Sequence, residues 1–288
     1  MTYTPMVPGQ KISASIELSA KQVLDIDGAL TLIPPATDIY LVDTGSENDQ
    51  RFADAAQKLR DQGYNPVPHF AARRFSSLAA FESRLSMMAK SAAITQVLAI
   101  GGGLKAQAGP FSSTLDMFET GLFQRYGVKK IGIAGHPEGS PDFSEDTALL
   151  ALRQKQQFAE DNALDIYVIT QFGFNGQMFI DWALSLQKHG ITMPVQIGVS
   201  GPAKITSLLK FAMLSGVGNS MQFLRRNAMS ITTLASGFDP EVVVAPIERH
   251  WQEEPHSPIS QIHVFAFGGA KATSQWLIDR GTWKNPLG

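Results

Sequence analysis

Short apolar runs rich in β-formers alternate with amphipathic stretches along the chain, and this alternation restricts the fold more than any other feature. Ile12 to Leu18 reads as a first strand, Asp38 to Asp43 as a second, Pro66 to Ala71 as a third and Gln96 to Ile100 as a fourth. Lys130 to Ala134, Asp165 to Thr170, Val195 to Val199 and Gln261 to Phe267 complete the set. Helical segments separate them. Arg51 to Gly63 carries Phe52, Ala55, Ala56 and Leu59 on one stripe, and Leu78 to Ala92 follows. Thr114 to Tyr126 is closed by Gly127, Asp146 to Asp161 has Asp146 placed as its cap, and Gly176 to His189 stops at Gly190. A helix from about Ala203 and another over Thr273 to Arg280 end the series. A helix between two strands returns the chain to the edge it left, so such strands pair in parallel. Eight units predict an α/β fold of the closed (β/α)8 TIM-barrel type, with residues 1–288 as a single domain. An open doubly wound sheet is the rival, and the count of eight favours closure. Ala203 to Ser260 exceeds one helix and is expected to hold two or more, with a loop through Pro240 and Pro255.

Composition narrows the function classes. A net charge of -2 argues against a broad polyanion-binding surface, so nucleic acid is not an expected partner. The absence of cysteine excludes disulfides, thiolate nucleophiles and cysteine-ligated zinc, and fits a reducing compartment. The six histidines are scattered, with no His-x-x-x-His, so no metal site is expected. Met1-Thr2-Tyr3-Thr4-Pro5 lacks the basic and apolar regions of a signal peptide, and no apolar run approaches a membrane span. These points lead to the expectation of a cytoplasmic protein; nothing in the sequence sets its oligomeric state.

In a barrel of this kind the loops after the strands build the active-site face. They offer Glu17 at the end of strand one, His69 with Arg73 and Arg74 after strand three, and Gly101-Gly102-Gly103 after strand four. Strand five delivers His136, Glu138 and Ser140, and strand six Gln171 and Asn175. Alternation puts Ile12, Ala14 and Ile16 on one face of the first strand and Ser13, Ser15 and Glu17 on the other. A partly desolvated carboxylate there would have a raised pKa suited to general-acid work; the alternative is a rim carboxylate paired with Arg73 or a lysine. His69 reads either as a ligand contact or as a satisfied core histidine. Arg73-Arg74 and Arg225-Arg226 read as surface pairs. Ser200-Gly201 and Gly268-Gly269, each before a helix, could seat an anion, although tight turns account for most such glycines.

Four segments carry a resemblance: Ser15-Ile16-Glu17, Pro68-His69-Phe70, Gly135-His136-Pro137-Glu138-Gly139-Ser140-Pro141 and Ile169-Thr170-Gln171-Phe172. In order and spacing they resemble the methylenetetrahydrofolate reductases of the MetF type. The resemblance implies a (β/α)8 oxidoreductase of one-carbon metabolism and methionine biosynthesis. Such an enzyme reduces 5,10-methylenetetrahydrofolate to 5-methyltetrahydrofolate with NADH or NADPH, usually through FAD. It implies Glu17 as general acid and Gln171 as a pterin contact, with Phe172, Asn175 and His69 about the substrate. It places Gly101, Gly102, Gly103, His136 and Lys155 about the cofactor. The departures cluster on the flavin side. Gly101-Gly102-Gly103 stands where the family has Arg-Gly-Asp, and Ala148, Ala151 and Gln154 stand where it has Asp, Asn and Arg. FAD is therefore expected to be weakly bound or absent, with hydride passing directly from the nicotinamide. A folate-dependent methyltransferase or demethylase, and a non-catalytic folate-binding protein, are the alternatives.

Overall fold

The structure is a computed structural model that describes residues 9–25, 28, 30–45, 47–104, 106–140, 142–215 and 237–286. Eight strands, β1 (Ala14–Ser19), β2 (Asp38–Val42), β3 (Asn65–Ala71), β4 (Gln96–Ile100), β5 (Lys130–Gly135), β6 (Asp165–Thr170), β7 (Val195–Ser200) and β8 (Ile259–Phe265), close in chain order into a parallel barrel. The expected closed fold is thus the one observed, and the open sheet is excluded. The helices among the described residues are α1 (Ala20–Asp25), α2 (Asp49–Asp61), α3 (Leu78–Ala92), α4 (Thr114–Glu119) and α5 (Leu122–Arg125). They continue with α6 (Glu145–Asp161), α7 (Gly176–Lys188), α8 (Ile205–Ser215), α9 (Glu241–Glu253) and α10 (Ala270–Asp279). The expected second helix of the 203–260 segment is α9; residues 216–236, and with them Arg225-Arg226, lie outside the described residues, as does Pro141.

Local chemistry explains where the elements depart from the sequence reading. Helix α1 was not anticipated, yet Ser19 and Gln22 cap it reciprocally: Gln22 N–H donates to Ser19 Oγ (3.2 Å) and Ser19 N–H to Gln22 Oε1 (2.8 Å). The cap expected from Asp146 is supplied by Ser144, whose Oγ accepts from Thr147 N–H (3.2 Å), while Asp146 sits in the first turn of α6. The single helix expected over Thr114 to Tyr126 is two, α4 and α5, broken at Gly121. Strand β8 starts and ends two residues early, because the backbone turns at Phe265 and its carbonyl accepts from Phe267 N–H (2.9 Å).

Contacts group the described residues into two compact units, one within 1–15, 135–153 and 168–285, the other within 16–134, 154–167 and 286–288. In the second unit the register sets Glu17 beside Tyr40, Tyr40 beside Val67, His69 beside Leu98, Gln96 beside Lys130 and Leu98 beside Gly132. Registered neighbours on parallel strands face the same way and alternate residues share a face, so all of these point to one side of the sheet. On that side the Tyr40 and Tyr167 hydroxyls meet at 2.7 Å, and Gln96 Nε2 donates to both, at 3.2 and 2.7 Å. Burial holds both phenols well above their ordinary pKa, as neutral hydrogen-bonding groups. Room for the Tyr167 ring exists because residue 132 is glycine: a Cβ there would lie 2.8 Å from Tyr167 Cζ. The opposite face buries Phe70 against Phe81 and Phe123, with ring centroids 5.9 and 5.7 Å away.

The first unit has its own aromatic core, in which Phe172 and Phe174 pack with Phe265 and Phe267, and Phe211 of α8 stacks on Phe267 at 4.3 Å. Its polar anchor is Glu248 on α9. Lys11 Nζ donates to Oε2 (2.9 Å), Ile12 N–H donates to Oε1 (3.0 Å), and Arg280 Nη2 lies 3.1 Å from Oε1. Burial acts to raise the Glu248 pKa, but these donors outweigh it and hold the carboxyl below its usual range.

Candidate active site

Glu17 is the fourth of six residues in β1 and so stands toward the carboxyl end of its strand, where barrel enzymes place their chemistry. Its side chain is 12% exposed, and Oε2 lies 3.2 Å from Nε2 of His69, itself only 5% exposed. The pair follows from register and alternation: both residues occupy the face shared with Tyr40, whose ring meets the imidazole edge-on at 6.4 Å. Neither ring nitrogen of His69 has an aligned hydrogen bond among the described residues, although Nε2 is within ion-pair reach of Glu17. The carboxylate is therefore not the rim group paired with Arg73. The Arg73 guanidinium is turned instead to the carbonyls of Ser112 (3.0 Å) and Leu104 (3.1 Å). A carboxyl beside an imidazole, largely out of water, is suited to holding and delivering a proton.

The glycine triplet after β4 belongs to the same unit. Gly102 and Gly103 have φ of +99° and +64°, values that side chains rarely adopt, so the turn itself demands glycine. Gly101 O accepts from Arg73 N–H (3.0 Å) and Gly102 O from Arg74 Nε (3.4 Å), which ties the turn to the end of β3. Lys155 lies on α6, half-buried, and desolvation draws its pKa down to about 8.

In the first unit, β6 ends at Thr170, and Gln171 is half-buried just beyond it. Its N–H donates to Gly135 O (3.1 Å) and its Oε1 accepts from Phe172 N–H (3.1 Å), which orients the amide locally. Phe172 is 1% exposed and packs in the aromatic core, so it supports this loop from behind. Asn175 is the N-cap of α7, its Oδ1 accepting from Gln177 N–H (3.1 Å) and Met178 N–H (3.3 Å). His136 directly follows β5, its ring edge-on to Phe143 at 5.0 Å, in a tight turn where Gly139 N–H donates to His136 O (3.0 Å). A second buried histidine in this unit, His263 of β8, bonds Ser15 Oγ through Nδ1 at 2.9 Å.

The sequence reading missed three groups that shape this interior: Tyr40, Tyr167 and Gln96. The available signal was a tyrosine at an inward position of each of two otherwise aliphatic strands, which calls for a buried hydroxyl partner. Among the described residues, no group of three or more His, Cys, Asp or Glu is placed to hold a metal ion. No described helix is long and apolar enough to cross a membrane.

No family model matches the chain. Over 95 residues, 33% of this chain, it is 30% identical to methylenetetrahydrofolate reductase 1 of Schizosaccharomyces pombe, and the match spans 15% of that relative's length. Among solved structures it is similar to an uncharacterized protein from Clostridium thermocellum that binds two copies of 5-methyl-5,6,7,8-tetrahydrofolic acid. That likeness has a TM-score of 0.55 at 12% identity and covers 93% of this chain and 96% of the other, a likeness of fold.

Proposed function

We propose that this chain is a reduced-folate enzyme that converts 5,10-methylenetetrahydrofolate to 5-methyltetrahydrofolate with NADH or NADPH, Glu17 acting as general acid. The observation that carries the reading is the largely buried carboxyl of Glu17 beside His69 toward the carboxyl end of β1. The stretch of identity with a methylenetetrahydrofolate reductase and the folate bound by the protein of like fold support the substrate class.

The chemistry asked of Glu17 is specific. Its O–H bond breaks and an N–H bond forms on N10, while the bond from N10 to the bridging methylene breaks and leaves an N5 iminium. Hydride from the nicotinamide then adds to the methylene carbon, giving the methyl group and the oxidised nicotinamide. An acid at this point contributes roughly 10²–10⁴-fold. Gln171, an uncharged amide with donor and acceptor, suits the mixed edge of a pterin. FAD does not fit the residues present: the Gly101 triplet has no side chains to offer it, and α6 carries Ala148, Ala151 and Gln154 where the family resemblance asks for charged and polar partners. No step is assigned to it.

The test is oxidation of NADH or NADPH by the purified protein with 5,10-methylenetetrahydrofolate, with and without added FAD. Turnover without flavin supports the reading. Stoichiometric flavin in the purified protein would overturn the direct hydride route, and no turnover under either condition would overturn the reductase activity. A second reading, a methyl-transferring or non-catalytic folate binder, is favoured by the 5-methyl form of the folate held by the similar protein. Binding of 5-methyltetrahydrofolate without nicotinamide oxidation would select it.

A further inference from the structure

His69 is a histidine with nowhere ordinary to place its ring protons. Its side chain is 5% exposed, and neither Nδ1 nor Nε2 has an aligned hydrogen bond among the described residues. A buried polar atom left in that state is costly, and such a cost persists where function uses it. Glu17 approaches from β1 at 3.2 Å, Tyr40 from β2 presents its ring edge, and the registered neighbour on β4 is Leu98. The Tyr40 hydroxyl is engaged by Tyr167 and Gln96, so the phenol does not serve the imidazole. The Nε2 edge of the imidazole thus stands against the Glu17 carboxyl within ion-pair reach, without an aligned hydrogen bond.

Resting on the reading of Glu17 as the acid, we propose that His69 is a positioning residue that acts through Glu17: its Nε2, 3.2 Å from Oε2, fixes where the carboxyl stands. In the reaction the Glu17 O–H bond breaks as the substrate N–H bond forms, and water reloads Glu17, the more exposed of the two at 12%. This differs from a His69 that contacts folate, which its burial behind Glu17 and Tyr40 disfavours.

The first experiment needs no substrate. Imidazole nitrogen NMR on the full chain, with His263 as an internal control, compares the ring signals of His69 in the wild type and in Glu17→Gln at one pH. If the imidazole holds the carboxyl, the His69 Nε2 signal moves in the variant while that of His263 stays. An unmoved His69 signal overturns the contact. The second experiment uses His69→Gln, which keeps a polar group of similar length. A fall in kcat with little change in KM for 5,10-methylenetetrahydrofolate, and a displaced pH profile, supports positioning through Glu17. A raised KM with an unmoved profile means direct substrate contact and overturns it. Should the wild type show no folate turnover, the functional reading fails alone, and the NMR comparison still decides whether His69 bears on the Glu17 carboxyl.

Discussion

Glu248 and Glu17 are both carboxylates largely withdrawn from water, 8% and 12% exposed; Glu248 grips Lys11 and Ile12 just before β1, and Glu17 lies within β1. Glu248 receives Lys11, the Ile12 N–H and the Arg280 guanidinium, so both oxygens have donors and its pKa is held down. Glu17 stands beside an imidazole whose nitrogens lack aligned bonds. A saturated ion pair is a fastening: it resists changes of charge and position. The role proposed for Glu17 asks for the opposite, a carboxyl able to exchange a proton. Glu248 fastens the chain just before β1, and chemistry is proposed for Glu17 toward the carboxyl end of that strand, where barrel enzymes place it.

The comparison can be broken at either carboxylate. Glu17→Gln should lower turnover of 5,10-methylenetetrahydrofolate by roughly 10²–10⁴-fold. The urea midpoint should stay near the wild-type value; a variant with full activity would remove Glu17 from the chemistry. Glu248→Ala should do the reverse, destabilising the fold by about 1–3 kcal/mol through the Ile12 N–H and the buried Arg280 guanidinium that lose this acceptor, with activity per folded molecule retained. Urea denaturation with parallel assays separates the two outcomes.

The pH dependence sharpens it. Because the folded-state pKa of Glu248 is lowered, its stabilisation is complete above the unfolded carboxylate range of about 4.3 and is lost as pH falls through the folded value. Acid unfolding of wild type should therefore be steeper than that of Glu248→Gln. Lys155 runs the other way. Its folded pKa of about 8 lies below the unfolded value of 10.5, so its burial destabilises fully below pH 8 and is relieved as pH rises toward 10.5. Lys155→Met should stabilise by up to about 3 kcal/mol at pH 7, with the gain vanishing near pH 10.5, as read by denaturant melts across that range. The smallest effect is expected from Gly132→Ala, which pushes the Tyr167 ring off its hydrogen bonds to Tyr40 and Gln96; overpacking of this kind costs about 1–3 kcal/mol. If the Glu17–His69 geometry is independent of that layer, turnover by this variant will match wild type.

Much of this arrangement is legible in the chain. Eight apolar runs, seven of them followed by a helical pattern, suffice for a closed parallel barrel, since local periodicity and the return path of each helix are written in adjacent residues. Glu17 is recognisable as an acid among apolar neighbours at a strand's carboxyl end. Its partner is not: Arg73 is a plausible cation by charge, but its guanidinium is taken by the carbonyls of Ser112 and Leu104, and His69 takes the place beside Glu17. Likewise Asn175 and Phe172 look available in a loop, yet one caps α7 and the other fills an aromatic core.

The sequence alone determined the eight strands, most of the helices between them and that the strands run parallel and close, because these depend on short-range pattern and chain connectivity. Only the tertiary structure decided which side chains meet. The pairing of Glu17 with His69, the Tyr40–Tyr167–Gln96 layer and the grip of Lys11 and Arg280 on Glu248 join residues far apart in the chain. Such meetings are set by strand register and by competition among partners, and neither is visible until the barrel has formed.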